Sequence, residues 1–434
     1  MRRSSRSGLK RNALGFARVR GVVSCLMPAS PDRPRSFFRW REIPGSVWAL
    51  GLVSLFMDVS SEMIHALLPL YLVTVLGTST LTVGIIEGIA EATASITKIF
   101  SGALSDYLGK RKWLAAAGYG LAAVTKPVFP LATSIGWLVA ARFGDRVGKG
   151  IRGAPRDALI ADLTPADLRG NAFGLRQSLD TIGAVLGPLL AIVCMAAFAN
   201  NFTTVFWIAV IPAFVSVAII VFGVREPERP AGLRSVRAPL SRGELARLGT
   251  AYWVIVGVAA IFTLARFSEA FLLLRAQSVG MPLATVPAVM VVMSIVYAFS
   301  AWPAGALSDR IGRYGLLTVG FGLLIVADLV LAFAGGVAAV MIGVALWGLH
   351  MGLTQGLLAA LVADTTPAEL RGTGFGMFNL VSGVAMLAAS IVAGALWDAV
   401  GPSGTFFAGA LFTGVALTAL PLARRRAASV TSRS

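Results

Sequence analysis

The sequence predicts an all-α integral membrane protein: about twelve transmembrane helices in two related six-helix bundles, with both termini in the cytoplasm. Three observations predict it. Apolar runs of roughly twenty residues, the length that crosses a bilayer, recur along the whole chain between short polar breaks. Only 14% of the 434 residues are charged, against about 25% in ordinary soluble domains, and mean hydropathy is +0.77. Finally, two blocks of text in the first half return in the second at nearly constant spacing.

The first forty-odd residues stand outside this pattern. MRRSSRSGLKRNALGFARVR is rich in Arg and Ser, and the GVVSCLM stretch after it is too short and too closely flanked by Arg and Pro to be a secretory core. An organellar transit peptide has such a composition. The preferred reading is a basic, disordered cytoplasmic tail over 1–45, or an over-extended start with Met27 as the true first residue. Six spans follow at about 47–76, 81–104, 113–131, 134–156, 171–196 and 203–223, forming a bundle over 46–224. A polar linker covers 225–249. Six more spans at about 251–275, 285–307, 314–334, 336–362, 372–396 and 403–423 make a second bundle over 250–423, and 424–434 is a short cytoplasmic tail. The two cysteines, Cys25 and Cys194, fall in the tail and in an apolar helix, so neither a disulfide nor a metal site is expected.

Orientation follows from the short loops. The tail, Lys110–Lys112, the linker, Arg310 and Arg313, and Arg424–Arg426 fall on one side, while the opposite loops GTST, ANNFTT and QSVGMPLAT carry neither Lys nor Arg. Basic loops stay inside, and an even number of spans returns both termini to one side. The net charge of +17 is therefore explained without nucleic acid. The predicted setting is multi-pass, in the plasma membrane (bacterial inner membrane), with the lipid bilayer and a small-molecule substrate as partners, no cofactor, and a monomer.

The repeat gives the organisation its sharpest form. ALIADLTPADLRGNAFG begins at Ala158 and ALVADTTPAELRGTGFG at Ala360, 202 residues later; GALSDYLGK begins at Gly102 and GALSDRIGR at Gly305, 203 later. Parallel repeats of this size place a substrate path between the halves near the bilayer midplane.

With these motifs the chain resembles the major facilitator superfamily over nearly all its length after about residue 45. The family's loop between its second and third helices reads here Gly102, Leu104, Asp106, Gly109, Lys110 and Arg111, with a degenerate copy from Gly305 to Arg313 that includes Asp309. The resemblance implies the major facilitator fold and a cytoplasmic gate in which Asp106 latches the closed state during alternating access. The bland alternative for Lys110, Arg111 and Lys112 is plain obedience to the positive-inside rule. Within the fourth helix, Arg142 followed by Gly148 and Gly150 looks like the family's Arg-and-glycine motif, but Asp145-Arg146 departs from its usual text. In the fifth, Gly183, Gly187 and Pro188 resemble the signature of 12-helix bacterial drug/proton antiporters and point to export. Glycines of this kind let helices approach, and the proline bends one.

Charges at bilayer depth cost roughly 2.5–3.5 kcal/mol each on insertion scales, so each is a functional candidate. Asp58, Glu62 and His65 share one face of helix 1, and Glu87 and Glu91 share one face of helix 2. Helix 4 carries Arg142, Asp145, Arg146, Lys149 and Arg152, with Arg156 and Asp157 read as loop charges at its end; helix 5 carries Asp180. The second half offers only Arg266, Glu269, Asp328 and His350, and the repeat maps Arg142 onto Val344 and Lys149 onto Met351. Asp58, Glu62, Glu87, Glu91 and Glu269 are candidates for proton coupling, because burial raises a carboxyl pKa towards neutrality. Arg142, Asp145, Arg146, Lys149, Asp180 and Arg266 are candidates for holding a substrate charge or for pairing with the acids. Simple neutralisation between helices is the competing reading of every one of them. His65 and His350 lack ligand spacing, and Trp302, Trp347 and Trp397 are possible cavity aromatics with nothing to single them out.

Two functions suit these features: proton-coupled export of a small organic molecule or drug, and proton-coupled or facilitated uptake of an anionic metabolite. A non-transporting receptor has only the basic tail in its favour. An enzyme is not expected, since the chain has no nucleophile constellation, metal spacing or nucleotide loop.

Overall fold

The computed structural model describes residues 42–108, 110–165, 167–225, 242–367 and 370–431, with the side chains at 103, 106–108, 242, 244, 302, 306, 309–310 and 423–431 outside that description. The expected tail, most of the linker and Gly109 thus lie outside the described residues. All described regular structure is helical: α1 (Gly45–Thr74), α2 (Thr80–Leu108), α3 (Arg111–Thr125), α4 (Val128–Leu131), α5 (Ile135–Leu163), α6 (Arg169–Ala197), α7 (Phe202–Ala218, continued by a π turn Ile219–Gly223), α8 (Arg242–Ala246), α9 (Thr250–Ala265), α10 (Ala270–Ser278), α11 (Ala288–Ile311), α12 (Arg313–Phe333), α13 (Val337–Thr365), α14 (Arg371–Val400) and α15 (Pro402–Thr431).

Among the described residues, ten stretches are long and apolar enough to cross a membrane, with α3–α4, α7 with its π turn, and α9–α10 each counting once. The two long helices that miss the apolar criterion are α2 and α5, each 29 residues and therefore about 43 Å long. They hold most of the charges singled out above.

Helix ends show how the chain runs to and fro. The start of α3 meets the end of α5 through Arg111 Nη1, which donates to Asp162 Oδ2 and the Ala158 carbonyl, both at 2.9 Å. In the second half Arg313 pairs with Asp364 and donates to the Ala360 carbonyl at 3.4 Å. These are the same positions 202 residues on, so the repeat read from the text is also a repeat of contacts. We call the end where these pairs lie the tail face and the other end the far face.

Four boundaries correct the sequence reading. The third span breaks at Lys126-Pro127, because proline lacks the N–H a helix interior needs. The fourth runs to Leu163, so Arg156 and Asp157 are helical and ion-paired rather than loop charges. The seventh breaks at Arg266–Glu269 with no Pro or Gly to announce it; the Ser268 N–H freed there donates to Ser390 Oγ on α14 at 3.2 Å. Non-helical backbone at membrane depth needs such a partner. The last helix continues to Thr431, past the expected tail boundary.

The halves meet mainly where α2 packs on α14 and α6 on α11. Small residues allow the first of these. A Cβ at Gly394 would lie 2.6 Å from the Thr80 carbonyl oxygen and 2.7 Å from Leu81 Cα. Gly394→Leu is therefore expected to force α2 and α14 apart at the far face and to lower the unfolding midpoint in detergent by several degrees, as overpacking costs about 1–3 kcal/mol. An unchanged midpoint in a thermal melt counts against this packing.

Candidate functional site

The site begins with helix approach. On α6, a Cβ at Gly183 would meet Asp58 Cβ and the Leu55 carbonyl at 2.9 Å, and one at Gly187 would meet Glu62 Cβ at 2.7 Å. The two glycines of the fifth-helix motif thus sit directly behind the acids of α1.

From α1 a chain of contacts crosses to α2 and α5. His65 Nδ1 lies 3.3 Å from Glu62 Oε2, and its Nε2 lies 3.5 Å from Glu87 Oε2. Arg142 Nη2 donates to the same Glu87 oxygen at 2.7 Å, with both side chains buried. One turn on, Arg146 pairs with Glu91 at 3.2 Å. Nearer the tail face Arg152 approaches Asp58 at 3.6 Å and stacks over the Tyr119 ring at 4.8 Å. Arg156 donates to Ser54 Oγ at 2.7 Å and lies 3.8 Å from Asp180. Arg176 holds Asp180 at 3.0 Å and Asp157 at 3.5 Å. Asp145 points elsewhere: its partner is Lys126, 2.9 Å away, which also donates to Ser61 Oγ at 3.0 Å. Both members of that pair are buried. An isolated buried charge costs several kcal/mol, which is why pairs and chains form here.

Between the halves lie two adjoining cavities, of about 410 and 380 Å³. The first is lined by Glu62, His65, Glu91, Arg146, Lys149, Arg266, Phe267, Ser268, Glu269, Trp347, Gln355 and Met386. The second runs from Asp58, Glu62 and Glu91 towards the tail face past Lys98, Arg152, Gly153, Arg156, Asp180 and Asn379. The structure therefore brings Asp58, Glu62, Glu91, Arg146, Lys149, Asp180, Arg266 and Glu269 to one cleft. Glu87 and Arg142 stand behind its wall, and Asp145 is turned away. Among the described residues no ion pair reaches Lys98, Lys149, Arg266 or Glu269. The cleft thus presents three cations and one carboxylate outside any close ion pair, with Arg266 and Glu269 near enough to act on each other.

Of the gate motif, Gly102 sits against α5, where its Cβ would be 3.5 Å from Ala154 Cβ, Lys110 is exposed, and Arg111 makes the bonds to α5 given above. Asp106, Gly109 and Asp309 lie outside the described side chains.

Several residues of this region went unread in the sequence. Lys126 precedes a proline, a signal that the helix stops and its side chain can turn inward. Lys98 fell within a predicted span and resembled an ordinary end-of-helix cation. Asp398 lay two residues past a predicted span end. Its carboxylate closes the far face by accepting from the first N–H groups of α2, Thr80 N at 3.1 Å and Leu81 N at 2.9 Å, and from the Thr80 hydroxyl. A helix start has free N–H groups and favours an anion; here the anion comes from the other half.

Comparison with known proteins gives a consistent picture. A family model described as Major Facilitator Superfamily matches residues 50–390. An uncharacterized MFS-type transporter of Methanocaldococcus jannaschii is 33% identical over 379 residues, covering 86% of this chain and 93% of its own. The inner membrane transport protein YajR of Escherichia coli is 24% identical, covering 86% and 82%. Among solved structures, a nucleoside transporter superposes with a TM-score of 0.74 at 12% identity, over 87% of this chain and 99% of that one. A bacterial homolog of the human lysosomal transporter Spinster, inward-facing and occupied, gives 0.73 at 16% identity, over 87% and 96%. At such identities these structures establish the fold alone.

The Lys126–Asp145 pair can be tested apart from transport. Lys126→Met leaves a buried carboxylate without its partner and is expected to cost about 3–5 kcal/mol of stability. Lys126→Met with Asp145→Leu should recover most of that loss in a denaturation series, and a double variant no more stable than the single one contradicts the pairing.

Proposed function

The chain belongs to the Major Facilitator Superfamily and so carries solutes across a membrane; on that premise we propose that it is a proton-coupled secondary active transporter whose solute is a polar organic molecule bearing a carboxylate or phosphate. In this reading α2 and α5 complete twelve spans, the tail face is cytoplasmic, and the membrane is the bacterial inner membrane.

The observation that carries the solute class is the charge in the cleft outside close ion pairs. Lys98 and Lys149 come from the first half and Arg266 from the second, against Glu269 alone. Every other acid lining the cleft has an Arg or His partner. Lys149 and Arg266 line the same cavity from opposite halves, so they repel when the empty cleft narrows. An anionic group between them removes that repulsion, and at ~4 Å each contact with an effective dielectric of about 20 is worth roughly 4 kcal/mol before desolvation. Solute binding therefore favours closure of the tail face. Closure on one face relieves the far face, where Asp398 holds α2, and the cleft then opens to the other side. A neutral lipophilic drug has no use for such a lining.

Direction rests on two features. The cavities run towards the tail face, where a cytoplasmic solute is loaded, and the Gly183–Pro188 segment resembles that of exporters. Uptake of an anionic metabolite by the same cleft run in reverse is the second reading, which the same cations favour equally.

Proteoliposomes containing a pH-sensitive dye test these points. Added organic acids or sugar phosphates are expected to move protons opposite to the solute for export, or with it for uptake. Lys149→Met and Arg266→Met should each weaken solute binding by about tenfold, the loss of roughly 1.4 kcal/mol, while Lys149→Arg keeps most of it. Proton movement driven by neutral lipophilic dyes and not by any carboxylate or phosphate would falsify the assignment.

A further inference from the structure

Two ionisable side chains in the second half take no part in the cleft chemistry described so far. Asp328 on α12 has zero exposure, and neither carboxylate oxygen has a hydrogen-bond partner. His350 on α13 also has zero exposure and two ring nitrogens without partners. The first-half acids differ sharply: Asp58, Glu62, Glu87 and Glu91 each have an arginine or histidine partner.

The surroundings of Asp328 are apolar. A Cβ at Gly409 on α15 would lie 2.6 Å from its Oδ2, and the Phe267 ring edge borders the same pocket. Phe267 also lines the cleft, so the ring beside Gly409 next to this acid faces the solute cavity as well. Phe267 belongs to the non-helical break between α9 and α10, and its ring packs against Trp347 at 5.3 Å, Phe406 at 5.5 Å and Phe271 at 5.6 Å. Trp347, another cleft residue, in turn touches His350 at 5.3 Å.

The charged and titratable groups on neighbouring elements are few. On α13 there are His350 and Asp364, the latter paired with Arg313; α15 carries the hydroxyls of Ser403, Thr405, Thr413 and Thr418 and, at its end, Arg424–Arg426; and α11 carries Tyr297 among the described side chains. Arg275 of α10 is occupied by the carbonyls of Leu331 at 2.9 Å and Ala334 at 2.7 Å. Arg266 and Glu269 flank Phe267 in the break and face the cleft. None of these pairs with Asp328 among the described residues. An ionised carboxylate in such a place, without donor or counter-charge, costs several kcal/mol.

We propose that Asp328 is a proton-binding site of the transport cycle, occupied while the cleft extends to the tail face and emptied when the α9–α10 break carries Phe267 aside and lets water reach the carboxyl. This rests on the proton-coupled reading above and moves its coupling site out of the first half. The step is a transfer from the carboxyl O–H to water that enters past the displaced ring. The carboxylate left behind is stable only while hydrated, so the ring cannot return until a proton does.

Infrared spectroscopy of the purified full-length chain in nanodiscs reads this without a known solute. At neutral pH the wild type should show a protonated carboxyl band, lost in Asp328→Asn and kept in Asp58→Asn. Phe267→Ala hydrates the site and should also remove the band, which keeps the test open if Asp328→Asn does not fold. Deuterium exchange at Thr80 and Leu81 should rise in alkaline buffer beyond its intrinsic rate in wild type, and stay flat in Asp328→Asn. A band unchanged in Asp328→Asn or in Phe267→Ala overturns the site. Solute-driven proton movement that survives in Asp328→Asn overturns it while leaving proton coupling intact; its absence from the wild type overturns the coupling reading instead.

Discussion

Neutralisation of charge between α2 and α5 is the constraint on which the rest of this structure depends. Two helices bearing this many ionisable groups are poor membrane spans on their own. Facing each other they become acceptable, because Glu87 meets Arg142 and Glu91 meets Arg146 one turn apart. Asp145 needs a separate solution on the other side of α5, and the break at Lys126-Pro127 supplies it. Given that pairing, α1 can bring Asp58, Glu62 and His65 to the same wall, with the α6 glycines giving it room.

The second half shows what the same frame looks like without those charges. Its scaffold contacts are copies, as Arg111–Asp162 and Arg313–Asp364 show position for position. Where the first half has Arg142, it has Val344, and its wall is aromatic: Phe267, Phe271, Trp347, Trp397 and Phe406. Ion pairs fix α1, α2 and α5 in one arrangement, since parting them leaves bare charge in a dry interior. Rings packed through dispersion have no such penalty for sliding. The two halves thus differ in what holds their walls together, ion pairs in one and packed rings in the other, on a common backbone plan.

The parts legible in the sequence are those governed by local chemistry or by repetition. Span positions follow from apolar length, the halves from repeated text, and the α1 and α2 acid faces from helical spacing. What spacing cannot supply is the identity of a partner on another helix. Arg142 and Asp145 are three residues apart, yet one turns to α2 and the other to α3, and only packing decides which. The break at Arg266–Glu269 was invisible because neither Pro nor Gly marks it; its freed N–H is met by Ser390, more than a hundred residues away. Asp328 was legible as a charge at depth but not as an unpaired one, because pairing is a property of the assembled bundle.

The Asp398 contact has a kinetic meaning beyond holding the far face shut. It joins a carboxylate of one half to the peptide N–H groups that begin a helix of the other. Asp398 is exposed, so water can satisfy its carboxylate if the halves part. Hydrogen bonds to a charged acceptor are worth roughly 1.5–3 kcal/mol net, well below their strength in isolation, because solvent replaces what is lost. A carrier must let go of each face thousands of times over its life. A clasp that hands its carboxylate to water, instead of stranding a charge, gives the far face definite geometry when closed and a low barrier to leaving.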